Sequence, residues 1–192
     1  MKAKRLARYL LNRRRFITDY KFQKMPTEVV VWSDSDFAGC LITRKSTSGG
    51  VVMFGGHCIK TYSSTQPVIA LPPGEAEFYA IVKAGSTGVG MRSLFADFGI
   101  KMTIRLNTDS ETGKSIASRK GAGIVRHIDT DDMWIQEKVA KKDIFLKKVP
   151  GKENISDGLT KHVERPKLDK YLAGSNQRLM PGGHELCPQI AD

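Results

Sequence analysis

The alternation of apolar and polar positions divides the chain into short elements of two kinds. Val29-Val30-Val31-Trp32 is a run of strong β-formers closed by Ser33-Asp34-Ser35-Asp36 and then Phe37-Ala38-Gly39, which predicts a buried strand over 28–34 ending in a polar turn. A Thr/Ser/Gly-rich loop over 39–48 leads to a second strand at Gly49–Phe54. Gly55-Gly56 marks a hairpin turn and His57–Ser64 a third strand, so three consecutive strands form an antiparallel meander. Pro67 and Pro72-Pro73 break the pattern, and either proline of the pair suits a helix first turn with Glu75 and Glu77 near the positive end of its dipole. That helix runs to about Phe98, where Gly99 stops it, and carries a stripe at Met91, Leu94, Phe95 and Phe98. Gly85, Gly88 and Gly90 weaken its middle and leave room for an irregularity.

Beyond it, Met102, Ile104 and Leu106 alternate with Thr103, Arg105 and Asn107 as a strand over 102–108. Thr108-Asp109-Ser110 opens a short helix to about Arg119, Gly121-Ala122-Gly123 is a joint, and a helix from about Val125 to Ala140 has its seam at Ile128, Ile135 and Val139. Asp143–Val149 is a last strand, Pro150-Gly151 a turn, and Ile155–His162 a helix start. The order β-β-β-α-β-α-α-β-α describes an α/β chain with a mixed sheet flanked by helices. Ahead of it, Ala3, Leu6, Ala7, Leu10 and Leu11 fall on one stripe of an amphipathic helix over 3–15, and that stripe needs a partner surface. Residues 174–192, with Gly182-Gly183 and two prolines, read as a loose tail.

Charge changes this picture at one end. The net charge is +11, yet residues 1–24 hold nine Lys/Arg against the single acid Asp19, while 25–163 hold eighteen bases against fifteen acids and 164–192 balance. A basic arm on a nearly neutral domain suits a polyanion at one face or a merely solubilising role. Phe16, Tyr20 and Phe22 among those bases suit either stacking on nucleic acid or ordinary packing. Cys40, Cys58 and Cys187 have no CxxC spacing, which argues against a disulfide framework or zinc knuckle and for a reducing compartment. No apolar run approaches a membrane span and no signal-peptide core follows the basic N-terminus, so the expectation is a soluble intracellular protein without a membrane partner.

The candidate chemistry is carboxylate. Asp34 and Asp109 end strands, and Glu77 and Asp157 sit in first turns of helices. If the strands 28–34 and 102–108 lie side by side and parallel, their C-terminal ends share one rim, over which helix starts can pack. Four hard oxygen donors converging there repel one another unless a divalent cation intervenes, and Mg²⁺ or Mn²⁺ suits such a set. Two such ions roughly 4 Å apart hydrolyse phosphodiesters. Strand periodicity puts Asp34 and Asp36 on one face and does not separate them.

The chain resembles the ribonuclease H domain of copia-type retrotransposon polyproteins. The matching pieces are Trp32–Gly39, Thr43-Arg44-Lys45-Ser46-Thr47-Ser48-Gly49, Tyr62-Ser63-Ser64 with Gln66-Pro67, Glu75-Ala76-Glu77-Phe78, Thr108-Asp109-Ser110, Arg126-His127-Ile128-Asp129 and Ile155-Ser156-Asp157-Gly158-Leu159-Thr160-Lys161, in family order over about 28–162. The resemblance implies a ribonuclease H-like fold over 28–162, preceded by an arm at 1–27 like the end of an upstream reverse transcriptase region and followed by a partly loose tail at 163–192. It implies an endonuclease that cuts the RNA strand of an RNA–DNA hybrid during reverse transcription, with two Mg²⁺ (Mn²⁺ substituting) held by Asp34, Glu77, Asp109 and Asp157. Asp34 would bridge both ions, with Asp157 on the nucleophile side and Glu77 and Asp109 on the other. Water would leave a 3′-hydroxyl and a 5′-phosphate, and Glu77 lies where such enzymes sense the RNA 2′-hydroxyl. Register selects Glu77 over Glu75 and demotes Asp36 to the turn.

His127 is either an accessory group near substrate or a surface partner of Asp131. Arg13, Arg14, Arg15, Arg44, Lys45, Lys148 and Lys152 are the candidate nucleic-acid contacts. The partners implied are an RNA–DNA hybrid and an upstream reverse transcriptase domain, in the cytoplasm, a cytoplasmic retrotransposon particle or the nucleus. Two departures stand out. Lys147–Ser156 lacks the histidine of cellular relatives, and Leu71-Pro72-Pro73-Gly74 replaces the usual approach to Glu75 and could displace Glu77. They leave open a degenerate module that binds nucleic acid or supports a polymerase without cutting.

Overall fold

The computed structural model describes residues 2–11, 15–121, 123, 128 and 130–180. Its centre is a five-stranded mixed sheet built from β2 (Glu28–Ser35), β3 (Thr47–Phe54), β4 (His57–Thr65), β5 (Thr103–Thr108) and β6 (Ile144–Lys148), in the order β4-β3-β2-β5-β6. The meander β2-β3-β4 is antiparallel, whereas β5 lies parallel to β2 and β6 parallel to β5. The parallel register aligns Ser33 with Thr108 and Thr108 with Lys148, so β2, β5 and β6 end on a common rim.

One face of the sheet packs on α2 (Pro73–Asp97), α3 (Glu111–Ser118) and α4 (Trp134–Ala140) through Val29, Val31, Phe78, Ile81, Ile104, Leu106, Ile135 and Ile144. Burying each such side chain contributes about 1.5–3 kcal/mol, enough in sum to fix the register. On the other face Val30, Val51, Met53 and Cys58 form a smaller cluster under Trp32, Ile155 and Leu159. The segment after β6 therefore closes over the sheet and returns to the end of β2.

Pro73 occupies the first turn of α2, and Gly99, at φ +75°, ends it by donating to the Ala96 carbonyl at 2.8 Å. The helix is unbroken through its glycines. A Cβ at Gly88 would stand 2.9 Å from Ile104 Cγ2 and 3.2 Å from Val31 Cγ2, so the missing side chain lets the helix approach the sheet.

Four expectations are corrected. The N-terminal helix, α1, spans Lys2–Leu11 and stops short of Arg15, which begins a strand β1 (Arg15–Thr18). Residues up to 180 of the tail are built into the fold, since α5 (Arg165–Gly174) precedes β7 (Gln177–Met180), which pairs antiparallel with β1, and 181–192 lie outside the described residues. A local pattern cannot reveal a strand whose partner lies at the opposite end of the sequence. Of the helix expected over 125–140, Trp134–Ala140 is helical and Thr130–Met133, with the poor helix formers Asp131 and Asp132, makes a 3₁₀ turn, while 125–127 and 129 lie outside the described residues. Ile155–His162 makes a 3₁₀ turn at Asp157–Leu159 in place of a helix start. No helix among the described residues is long and apolar enough to cross a membrane.

Candidate metal centre

Asp34 is the penultimate residue of β2, Asp109 directly follows β5, and Glu77 lies in the second turn of α2. Parallel pairing of β2 with β5 brings the two aspartates together one step beyond Ser33 and Thr108, and α2 leans Glu77 over them. One carboxylate oxygen from each of Asp34, Glu77 and Asp109 lies within 4.8 Å of the others. The Pro72-Pro73-Gly74 approach does not displace Glu77. Gly74 lets the helix start close on α3, where a Cβ would meet the Thr112 side chain, and Glu75 is buried with its carboxylate accepting from the Leu71 N–H at 3.0 Å. Glu75 thus ties down the loop before α2, and Gln66, donating to the Ala76 carbonyl at 2.8 Å and to the Ser48 hydroxyl at 3.0 Å, ties the same turn to β3. Asp36 accepts the Thr47 N–H across the β2–β3 connection and serves the turn.

Burial pushes the Glu77 carboxyl up to about 8, with the charges of Asp34 and Asp109 adding to the rise and the Ser35 hydroxyl and Lys161 opposing it. Burial likewise raises Asp34 to about 6, against the Thr160 hydrogen bond and the Lys161 charge, while Asp109 and Asp157 push it further up. Glu77 Oε2 is buried without a hydrogen-bond partner. Crowded hard oxygens that resist ionisation, one of them orphaned, fit a small divalent cation, which would relieve both the repulsion and the unmet acceptor.

Asp157 stands apart from that trio. Its Oδ1 accepts from Lys161, and its Oδ2 accepts from Lys167 Nζ at 2.6 Å and from the Tyr171 hydroxyl at 2.6 Å. Burial raises its carboxyl, but these three hydrogen bonds outweigh burial and leave it below the ordinary carboxylate value. Lys161 also lies 3.7 Å from Asp34 Oδ2, and the Thr160 hydroxyl donates to that same oxygen.

Asn154, fully buried, donates to the Ser33 carbonyl at 2.9 Å and lies 3.3 Å from Asp109 Oδ1, while its own Oδ1 accepts from the Ser156 hydroxyl at 2.6 Å. It clamps the last turn to the ends of β2 and β5. Asn154, Thr160, Lys161, Lys167 and Tyr171 had no assigned role on sequence grounds. Lys161 carried a usable signal, four residues from Asp157, but Lys167 and Tyr171 lie ten and fourteen residues further on with no periodic link.

Of the candidate nucleic-acid contacts, Arg44 and Lys45 lie in the loop leaving the β2 end of the rim. Lys148 ends β6 and pairs with Glu111 at 3.5 Å, Lys152 lies in the 3₁₀ turn Gly151–Glu153, and Arg15 is in β1. Arg13, Arg14 and His127 lie outside the described residues. Cys58 is a buried free thiol.

No family model matches the chain. It is 30% identical over 148 residues to the retrovirus-related Pol polyprotein from transposon TNT 1-94 of Nicotiana tabacum, a match covering 74% of this chain and 11% of that protein. It is 25% identical over 145 residues to the retrovirus-related Pol polyprotein from transposon RE1 of Arabidopsis thaliana, covering 74% of this chain and 10% of that one. The chain thus spans about a tenth of the length of these polyproteins. Among solved structures, the N-terminal RNase H domain of rv2228c from Mycobacterium tuberculosis superposes with a TM-score of 0.50 at 17% identity, covering 78% of this chain and 99% of that one. The sheet order, the helices and the polyprotein matches agree: the chain carries a ribonuclease H-like domain related to the Pol polyproteins of copia-type transposons.

Proposed function

We propose that this domain is a metal-dependent endoribonuclease that hydrolyses the RNA strand of RNA–DNA hybrids during reverse transcription. The observation that carries this is the convergence of Asp34, Glu77 and Asp109 on the rim where β2, β5 and α2 meet. These three residues would hold Mg²⁺, or Mn²⁺ in its place, with Asp157 as the fourth acid of a two-ion site. Ions bound there supply activation of the attacking water and stabilisation of the leaving oxygen. The protein's own part is to present the carboxylates ready-made. Thr160 fixes the Asp34 carboxylate, Asn154 holds the turn against Asp109, and Gln66 and Glu75 anchor the start of α2 that carries Glu77. Fixing such groups beforehand spares the reaction their reorganisation.

Arg44, Lys45, Lys148 and Lys152 border the rim and are our candidates for phosphate contacts, while Arg15 in β1 and Arg13 and Arg14, outside the described residues, are candidates on charge alone. On α1, Ala3, Leu6 and Ala7 are exposed, Leu6 at 57%, which supports an upstream reverse transcriptase domain as the surface they cover.

The test is cleavage of a hybrid labelled on both strands. With Mg²⁺ or Mn²⁺ the native protein is expected to cut only the RNA strand, and Asp109→Asn to cut at least about 100-fold more slowly, since even outer partners of a metal ligand are worth 10–100-fold. Equal cutting by both proteins contradicts the assignment. Salt-sensitive hybrid binding without any metal-dependent product contradicts it too, and would identify a non-cutting module.

A further inference from the structure

The proposed four-acid site is not symmetrical. On the side of Glu77 and Asp109 the carboxylates face one another, and Glu77 Oε2 is left without a partner. On the other side a cation is already built in. Lys161 Nζ bonds Asp157 Oδ1 and lies 3.7 Å from Asp34 Oδ2, between two carboxylate side chains that are 5% and 2% exposed. The rest of Asp157 is spoken for, because Lys167 and Tyr171 from α5 both donate to Oδ2 at 2.6 Å. Lys161 is thus the only one of these donors that touches Asp157 and also approaches Asp34.

A divalent ion shared by Asp34 and Asp157 needs an oxygen of each at about 2.0–2.1 Å, in the space between them. That is where the ammonium sits. Lys161 itself is 48% exposed on a flexible four-carbon stem, so it can swing into solvent without disturbing the core. Lys167, by contrast, reaches only the far oxygen of Asp157.

We propose that Lys161 is a resident cation at the second ion position: it holds Asp34 and Asp157 together in the metal-free protein and competes with a second divalent ion, leaving Asp34, Glu77 and Asp109 to take the first. The proposal rests on the metal-dependent reading above. It makes Lys161 a positioning residue and implies that the two ions bind unequally, the second only as the lysine withdraws.

Mn²⁺ titration of the full chain, followed by the electron paramagnetic resonance signal of free Mn²⁺, counts bound ions without reference to catalysis. The native protein is expected to bind one Mn²⁺ with a second at least about 10-fold weaker. Lys161→Met should tighten the second by about 10-fold or more, the least expected from removing a unit charge some 4 Å away. Lys161→Arg, which keeps the charge, should behave as the native protein does. Two equal ions on the native protein overturn the proposal, and so does a second ion whose affinity is the same in native and Lys161→Met proteins. Those outcomes leave the metal-dependent reading intact. No bound Mn²⁺ on any of the three overturns both together.

Discussion

Glu77 and Asp34 are held where ionisation is disfavoured, with carboxyls at about 8 and about 6. In the metal-free protein both take up protons at pH values where the unfolded chain has lost them. The folded state therefore binds more protons, and stability is fully present below about pH 4 and lost as pH rises through 6 and then 8. Asp157 has the opposite shift, and its contribution is lost only on acidification below the ordinary carboxylate range, outside this window. Urea unfolding in the presence of a chelator should show the midpoint falling between pH 6 and 8. Glu77→Gln should flatten that segment, and Mg²⁺ should do the same for the native protein because it binds the ionised carboxylates. A native midpoint that stays level or rises over this range without metal would contradict the site's electrostatics. Asp34 and Asp109 were legible as single candidates because each sits at the end of a strand, and Glu77 through its register against the resembled family. The partners that set their protonation were not, since Thr160 reaches Asp34 across 126 positions and Asn154 reaches Ser33 across 121.

Helix α2 is the element that brings Glu77 to the rim, and its glycines show how a propensity argument and a packing argument diverge. Gly85, Gly88 and Gly90 all lower helix propensity, which by itself suggests an irregularity. The helix is regular because two of the three are contact points: Gly88 faces Ile104 and Val31, and Gly85 faces Ile135, whereas nothing lies within 4 Å of a Cβ at Gly90. Gly88→Ala should therefore destabilise by about 1–3 kcal/mol through overpacking. Gly90→Ala should stabilise by about 0.5–1 kcal/mol, as an exposed helical glycine has only its entropy to lose. Urea denaturation of the two variants measures both, and equal signs would mean that α2 does not approach the sheet as described. The strands were read closely from alternation and turn residues, because β2, β3 and β4 are consecutive and their pairing is local. The Leu71-Pro72-Pro73-Gly74 approach looked like a threat to Glu77. It is instead a helix start whose Gly74 makes room for Thr112.

At the scale of the molecule, the α/β class with a mixed sheet followed from element order together with the resemblance, and the sheet order β4-β3-β2-β5-β6 bears it out, while the parallel placement of β2 and β5, only a condition for a shared rim on sequence grounds, is met in the structure. The closure of the chain did not follow. Strand β7 pairs with β1 from the other end of the sequence, and α5 sends Lys167 and Tyr171 to Asp157, long-range contacts that leave no periodicity to read. The same closure divides the rim into a trio of mutually repelling carboxylates and an aspartate already neutralised by lysines. If the trio is a metal centre, a crystal grown with Mn²⁺ will show an anomalous peak bonded to oxygens of Asp34, Glu77 and Asp109 at about 2.1 Å; a map with no peak there, or with Mn²⁺ held only by other residues, would overturn the assignment.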